Sequence, residues 1–158
     1  MLFGGKDLVP EHVDDEGNWS WTWAPEDEVD FSIIREGYQS IRDLMLKPQD
    51  EPYVYRMRLP LEIRGTVTDA ASGAAIRNIT LITGGNFDGK DPKVASYWNE
   101  DQPNRFTDGN YRAFFDEPRS GGGHHFKIIA DGYETFVSEM FTDELGSLQF
   151  DVKLKRTE

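Results

Sequence analysis

EIRGTVTDAASGAAIRNITLITG, residues 62 to 84, decides the fold class of this chain. Its first eight residues set Ile63, Gly65 and Val67 on one side against polar partners on the other. That alternation is the pattern of a strand with one wet face. DAASG (69–73) follows, ending in a glycine suited to positive φ and leading into a second apolar run, which is a hairpin-loop signal. The same period of two recurs elsewhere. YVYRMRL (53–59) places Tyr53, Tyr55, Met57 and Leu59 on one side, and LQFDVKL (148–154) does so with Leu148, Phe150, Val152 and Leu154. Helical periodicity is almost absent. Its one candidate, FSIIREGYQSIRDLML (31–46), is interrupted by Gly37, and FSII reads more naturally as a strand. Residues 84–110, rich in Gly, Pro, Asn and Asp, form an extended excursion, with a short helical turn expected over Val94 to Tyr97 before a strand begins at Tyr111.

Working outward from this stretch reveals an internal repeat. Phe31 to Leu59 aligns without a gap on Phe126 to Leu154. Phe31 falls on Phe126, Ile33 and Ile34 on Ile128 and Ile129, Gly37–Tyr38 on Gly132–Tyr133, Met45 on Met140, and Leu59 on Leu154. Upstream, Gly17–Asn18–Trp19 matches Gly109–Asn110–Tyr111. The second copy carries residues 62–84 ahead of this shared part, whereas the first has only a short and dissimilar lead. Residues 60–158 therefore read as a complete unit, and residues 1–59 as an incomplete N-terminal copy. A partial sandwich leaves a core face and edges open, so its strands are expected to pack on the following domain or on another chain.

Composition narrows the function classes. The chain has 158 residues, a hydrophobic fraction of 37% and 13% aromatics, which is enough for a packed core. Its net charge of −12 repels phosphate backbones, and no basic patch interleaved with aromatics appears, so neither nucleic acid nor an anionic membrane is expected as a partner. No stretch approaches the roughly 20 apolar residues of a spanning helix. The start, MLFGGKDLVP, has too short an apolar stretch for a signal peptide. Without cysteine there is no disulfide or thiolate chemistry, and an oxidising compartment stays open.

The residues that could carry chemistry do not assemble into a signature. His124–His125 are adjacent and would point to opposite faces of a strand, so an exposed or pH-sensitive loop pair is the simpler reading. His12 stands apart. Asp88, Asp91, Glu100, Asp101 and Asp108 could converge on calcium if the long loop folded back, although no complete calcium-loop motif exists and solvated acidity explains them as well. Ser120–Gly121–Gly122–Gly123 lacks the lysine of a phosphate loop and reads as a flexible hairpin tip. Ser96 and Ser138 have no nucleophile context. No catalytic, cofactor-binding or metal-ligating residue is assigned, and the protein is not expected to be an enzyme.

The run IRGTVTDAASGAAI (63–76), then TDGNY (107–111), then FKIIADGYET (126–135) and the closing DVKL (151–154) resembles the carboxypeptidase regulatory-like domains. Gly65, Val67, Asp69, Gly73, Ile76, Thr107, Asp108, Gly109, Ala130, Gly132 and Tyr133 fill the positions of that pattern. The turn at Asp108 is tighter than the family's, and the excursion from Gly84 to Arg105 is longer. The tryptophan-rich GNWSWTWAP before it looks like tandem modules of large bacterial proteins, notably of planctomycetes. The resemblance implies an all-β fold, a transthyretin-like (prealbumin-like) antiparallel Greek-key β-sandwich with an additional partial copy. It also implies an accessory or scaffolding role without catalytic residues or cofactors. Partners would be other domains of the same protein or surface proteins, in a periplasmic or extracellular setting if the whole is an envelope protein.

The main reading is thus a structural spacer or protein-interaction module. The alternative is a carbohydrate- or peptide-binding sandwich that uses exposed aromatics, Trp98 and Tyr97 first and Trp19, Trp21 and Trp23 less so, with weak carbohydrate or calcium binding left open. WSWTW (19–23) sets its three tryptophans on one face, aligned with Tyr111, Ala113 and Phe115, so an inward-facing stripe or a docking seam is expected there.

Overall fold

The computed structural model describes residues 14–21, 24–87, 91, 93–119 and 122–158. They fall into two compact units, one within Met1–Glu36 and Ser40–Met57, the other made of Gly37–Gln39 with Arg58–Glu158. The first unit contains β1 (Val29–Ile33) and β2 (Ile41–Leu46), an antiparallel pair. The second contains β3 (Leu61–Asp69), β4 (Ile79–Asn86), β5 (Tyr97–Trp98), β6 (Asn104–Phe106), β7 (Asn110–Phe115), β8 (Gly123–Ile129), β9 (Phe136–Val137), β10 (Ser147–Gln149) and β11 (Val152–Leu154). The protein is all-β, as the period of two implies, with one short 3₁₀ turn at Asp143–Leu145.

The strands of the second unit form two sheets. In one, β3 pairs antiparallel with β7 along one edge and parallel with β10 and then β11 along the other. In the other, β4 pairs with β8, β5 and β6, and β9 extends β8. The first sheet is therefore mixed, a correction to the wholly antiparallel sandwich expected from the sequence. The inward residues follow the alternation: Leu61, Ile63 and Val67 of β3, Tyr111, Ala113 and Phe115 of β7, and Phe126 and Ile128 of β8 belong to one buried cluster. Tyr111 on one sheet lies 5.3 Å from Phe126 on the other, ring to ring, so the two layers share this core. Burying each large aliphatic side chain stabilises the fold by about 1.5–3 kcal/mol, and slipping any strand by one residue would turn its apolar set to water.

Three local expectations need correction. Tyr53–Leu59 pairs with no strand among the described residues, and Tyr53, Tyr55 and Leu59 are exposed. Alternation specifies a face but not a partner. The DAASG turn does reverse the chain, with Gly73 at φ 72° and Thr68 bridged to Ala75, yet β4 joins the opposite sheet instead of continuing the hairpin. The excursion after Gly84 carries no helical turn at Val94 to Tyr97. Instead β5 and β6 fold back onto β4.

The two copies of the repeat share backbone geometry as well as sequence. Aligned Gly37 and Gly132 have φ of 80° and 78°, and aligned Gly17 and Gly109 have φ of 86° and 85°. Ile33 pairs with Ile41 in the first copy as Ile128 pairs with Phe136 in the second. Val29 opposite Leu46 likewise matches His124 opposite Phe141. Both glycine turns hold an aspartate that accepts the following asparagine's backbone N–H, Asp14 from Asn18 at 2.7 Å and Asp108 from Asn110 at 3.0 Å.

Two side-chain features secure the complete unit. A Cβ on Gly65 would fall inside the van der Waals envelope of the Phe150 carbonyl, so only glycine lets the C-terminal strands run beside β3. Buried Asp69 gathers four donors: the N–H groups of Ala71 (2.9 Å) and Ser72 (2.8 Å), the Tyr133 hydroxyl (3.0 Å) and Arg156 Nε (2.8 Å). The backbone bonds of the turn, then Arg156 and Tyr133, hold its carboxyl far below the usual carboxylate range. Gly65→Ala should cost about 2–3 kcal/mol, read as a lower urea midpoint, by forcing the two strands apart. Because the Asp69 pKa is depressed in the folded state, its stabilisation is complete above the unfolded value near 4 and drains away as pH falls below it. Asp69→Asn should therefore lower the melting temperature by about 5 °C or more at pH 7, with the gap to wild type closing between pH 5 and pH 2.

Candidate functional site

The site begins with two glycines. Gly84 and Gly85 of β4 stand opposite Trp98 and Tyr97 of β5, and each is covered by its partner's ring. A Cβ on Gly84 would lie 2.6 Å from the Trp98 ring, and one on Gly85 2.9 Å from the Tyr97 ring. Aromatic rings laid on strand glycines recover the contact area that the missing side chains forgo. Successive residues of a strand face opposite ways, so the two rings serve different surroundings. Trp98 is enclosed by Lys127, whose Nζ sits 4.9 Å from its ring centre, and by His125 at 6.3 Å.

Tyr97 builds a stack. Phe87, 60% exposed, lies 5.0 Å away at an interplanar angle of 21°. The Arg119 guanidinium covers both rings, 5.0 Å from Tyr97 and 5.6 Å from Phe87, and donates from Nη2 to the Tyr97 hydroxyl. Such a cation over aromatic faces is worth about 0.5–2 kcal/mol, depending on how dry it is.

The backbone of Arg119 is fixed from below by Asp143. Its Oδ2 accepts the Arg119 N–H at 2.7 Å, while its Oδ1 accepts Gln39 Nε2 at 2.8 Å and His124 Nε2 at 2.7 Å. Burial raises the Asp143 carboxyl, but the bonds from Arg119, His124 and Gln39 outweigh it and hold the group ionised below its ordinary range. Burial pushes His124 down, and the Asp143 bond offsets this only in part, so the imidazole is neutral near pH 7 with its proton on Nε2.

Between these elements opens a cleft of about 430 Å³. Its walls carry Tyr97, Asn99, Gln102, Asn104, Phe114, Asp116, Glu117 and Arg119, with buried Phe115 and His124 among its lining. Arg112 covers the Phe114 ring at 4.9 Å. Asn99 donates to Thr83 Oγ1 at 3.0 Å, which leaves its carbonyl oxygen as an acceptor. The Nε–H of Arg119 is buried and meets no hydrogen-bond acceptor among the described residues. Amides, carboxylates and one guanidinium between aromatic walls suit a hydroxylated ligand better than an apolar one.

No protein-family model and no curated protein matches this chain. Its function has to be read from the geometry.

The structure separates the residues that the sequence grouped. Tyr97 reaches the cleft, whereas Trp98 lies against Gly84. Trp19 is 39% exposed and Trp21 half-buried, their rings 5.1 and 6.0 Å from Phe31 in edge contacts. This exposed aromatic cluster of the first unit suits a surface-binding role and corrects the reading of WSWTW as a fully inward stripe. Trp23, His12, Asp88, Ser120 and Gly121 lie outside the described residues. His124 and His125 are both buried in β8, a correction to the exposed loop pair, because Phe115, Asp143, Trp98 and Ser138 enclose them. Among the described residues the carboxylates of the long loop do not converge: Asp91 accepts the Lys93 N–H, Glu100 pairs with Lys127, and Asp108 accepts the Asn110 N–H. Among the described residues no three metal-ligating side chains come together.

Sequence reasoning missed Phe87, Arg119, Asp143 and Gln39. The glycine pair followed by an aromatic pair was a usable signal, but nothing in the chain links Gln39 to Asp143 before folding. Asp143→Ala should destabilise the protein by about 1–3 kcal/mol by orphaning buried donors, and Asp143→Asn by less because it keeps one acceptor, both measured by urea unfolding.

Proposed function

We propose that this protein is a non-catalytic β-sandwich binding module that takes a carbohydrate or peptide ligand in the cleft beside Tyr97. The observation that carries the proposal is the Tyr97 ring, covered by the Arg119 guanidinium, at the wall of a cleft that Asn99, Gln102 and Asn104 also line. Ordinary surface polarity does not require an arginine laid against two stacked rings and anchored through its backbone by a buried carboxylate. The exposed cluster of Trp19, Trp21 and Phe31 supports the same class of role, but it brings aromatic area without converging polar groups. Orientation and specificity need such groups, so the cleft is the better site.

The setting we infer is a tandem array. The shared registers and glycine conformations of the two copies support descent from one duplicated unit. The motif residues from Gly65 to Tyr133 favour the carboxypeptidase regulatory-like family and its transthyretin-like Greek-key topology. In that setting the neighbours are other domains of a larger protein, and the module contributes recognition or spacing while any reaction occurs elsewhere. The net charge of −12 argues against nucleic acid as the ligand.

The test is a titration of the ¹⁵N-labelled protein with mixed oligosaccharide and short-peptide libraries, followed by heteronuclear NMR. Shifts confined to Asn99, Asn104, Phe114 and Arg119 are expected. Tyr97→Ala should weaken that binding by about tenfold, or 1.4 kcal/mol, while the protein stays folded by circular dichroism. Shifts scattered over the surface, or an unchanged affinity in the variant, would exclude the cleft.

A further inference from the structure

We propose that the first unit is completed by a strand from a separate polypeptide, an extended segment of pattern Ile-x-Gly-acidic-Val that adds in parallel along Tyr53–Met57. The cleft plays no part in this; the repeat carries it, because its complete copy shows which strand runs along that edge. The gapless alignment sets Tyr53, Tyr55 and Met57 on Leu148, Phe150 and Val152. In the second unit those residues run parallel to β3, with Leu148 opposite Ile63 and Val152 opposite Val67. The Phe150 N–H donates to the Arg64 carbonyl at 2.8 Å, and Gly65 alone leaves room for the Phe150 carbonyl. Tyr53–Met57, by contrast, pairs with no strand among the described residues.

The side chains register the difference. Trp19 is 39% exposed, whereas its counterpart Tyr111, opposite Gly65 of β3, is 3% exposed. Tyr55 is exposed and stacks on Tyr53 at 6.3 Å, whereas Phe150 packs on Phe126, Phe136 and Phe141. An added strand uses such an edge through its main chain and reads the alternate side chains for specificity. Charge refines the pattern. Asp151, between Phe150 and Val152, accepts the backbone N–H and the hydroxyl of Thr66 at 2.8 and 2.9 Å. Its counterpart is Arg56, exposed and without an ion-pair partner among the described residues. A guanidinium in that place favours an acidic residue where β3 carries Thr66. The occupant is not β3 of a second copy, because both edges of β3 are paired inside its own unit and Leu61, Ile63 and Val67 are buried there.

The whole chain, ¹⁵N-labelled, is titrated with the peptide LEIRGEVTD, the β3 sequence carrying glutamate in place of Thr66. The Tyr53–Met57 and Trp19 signals should shift, and the Tyr53–Met57 amides should gain protection from hydrogen exchange. A peptide with lysine at the Thr66 position should bind about fivefold more weakly, and one with valine at the Gly65 position about tenfold or more. Arg56→Glu in the protein, at an exposed position, should reverse the preference between the glutamate and lysine peptides. No shift at Tyr53–Met57 with millimolar peptide overturns the inference, as does equal binding of the valine peptide or a preference that Arg56→Glu leaves unchanged. Protection of the Tyr53–Met57 amides that rises with protein concentration, without peptide, also overturns it, because a second copy would then cover the edge.

Discussion

The carbonyl of Phe150 occupies the space where any residue but glycine at position 65 would place a Cβ, and the closure of the sandwich follows from that contact. The Tyr111 hydroxyl donates to the same carbonyl at 2.5 Å, and Phe150 N–H donates to Arg64 at 2.8 Å. One residue further, Asp151 Oδ1 takes the backbone N–H of Thr66 at 2.8 Å and its hydroxyl at 2.9 Å. The last strands are thereby fixed beside β3 in parallel, with the rest of the unit as their crossover. The position of β4 follows. With β7 on one edge of β3 and β10 and β11 on the other, the hairpin begun at Asp69 has no free edge to pair with. It closes only the Thr68–Ala75 bridge before Asn78, at φ 59°, turns the chain towards the opposite sheet.

Much of this architecture was legible because it rests on positions that physics restricts narrowly. A glycine at positive φ followed by an aromatic is such a position, and Gly37–Tyr38 and Gly132–Tyr133 keep it in both copies. Alternation in 62–69 and 148–154 is another, since a sheet with one core face tolerates no slip. The repeat adds a check that single-strand patterns lack. Aligned residues meet aligned partners, as Ile33 with Ile41 and Ile128 with Phe136 show.

What was not legible depends on partners far away in the chain. Tyr53 to Leu59 alternates as well as β3 does, yet alternation contains no information about whether a neighbouring strand exists. Residues 97–106 read as loop because β5 and β6 are two and three residues long, too short to show a period. The histidine pair read as loop for a different reason. Glycines before it signal a turn, but what buries it is Asp143 and Phe115 on one side and Trp98 on the other. The direction of β10 and β11 was invisible too, because the same residues alternate identically in parallel and antiparallel pairing.

The cleft is pre-organised by one acceptor group. The Asp143 carboxylate binds a connector residue, Gln39, a strand residue, His124, and a loop residue, Arg119, and so ties three separate segments to one point. A neutral acceptor would do this less well, since bonds to an ionised oxygen are shorter and roughly twice as strong. The consequence reaches Tyr97 through Arg119, whose guanidinium can cover the ring only while its backbone is held in place. The aromatic wall of the cleft is thus ordered by the fold itself, and ordering it would add little to the cost of binding.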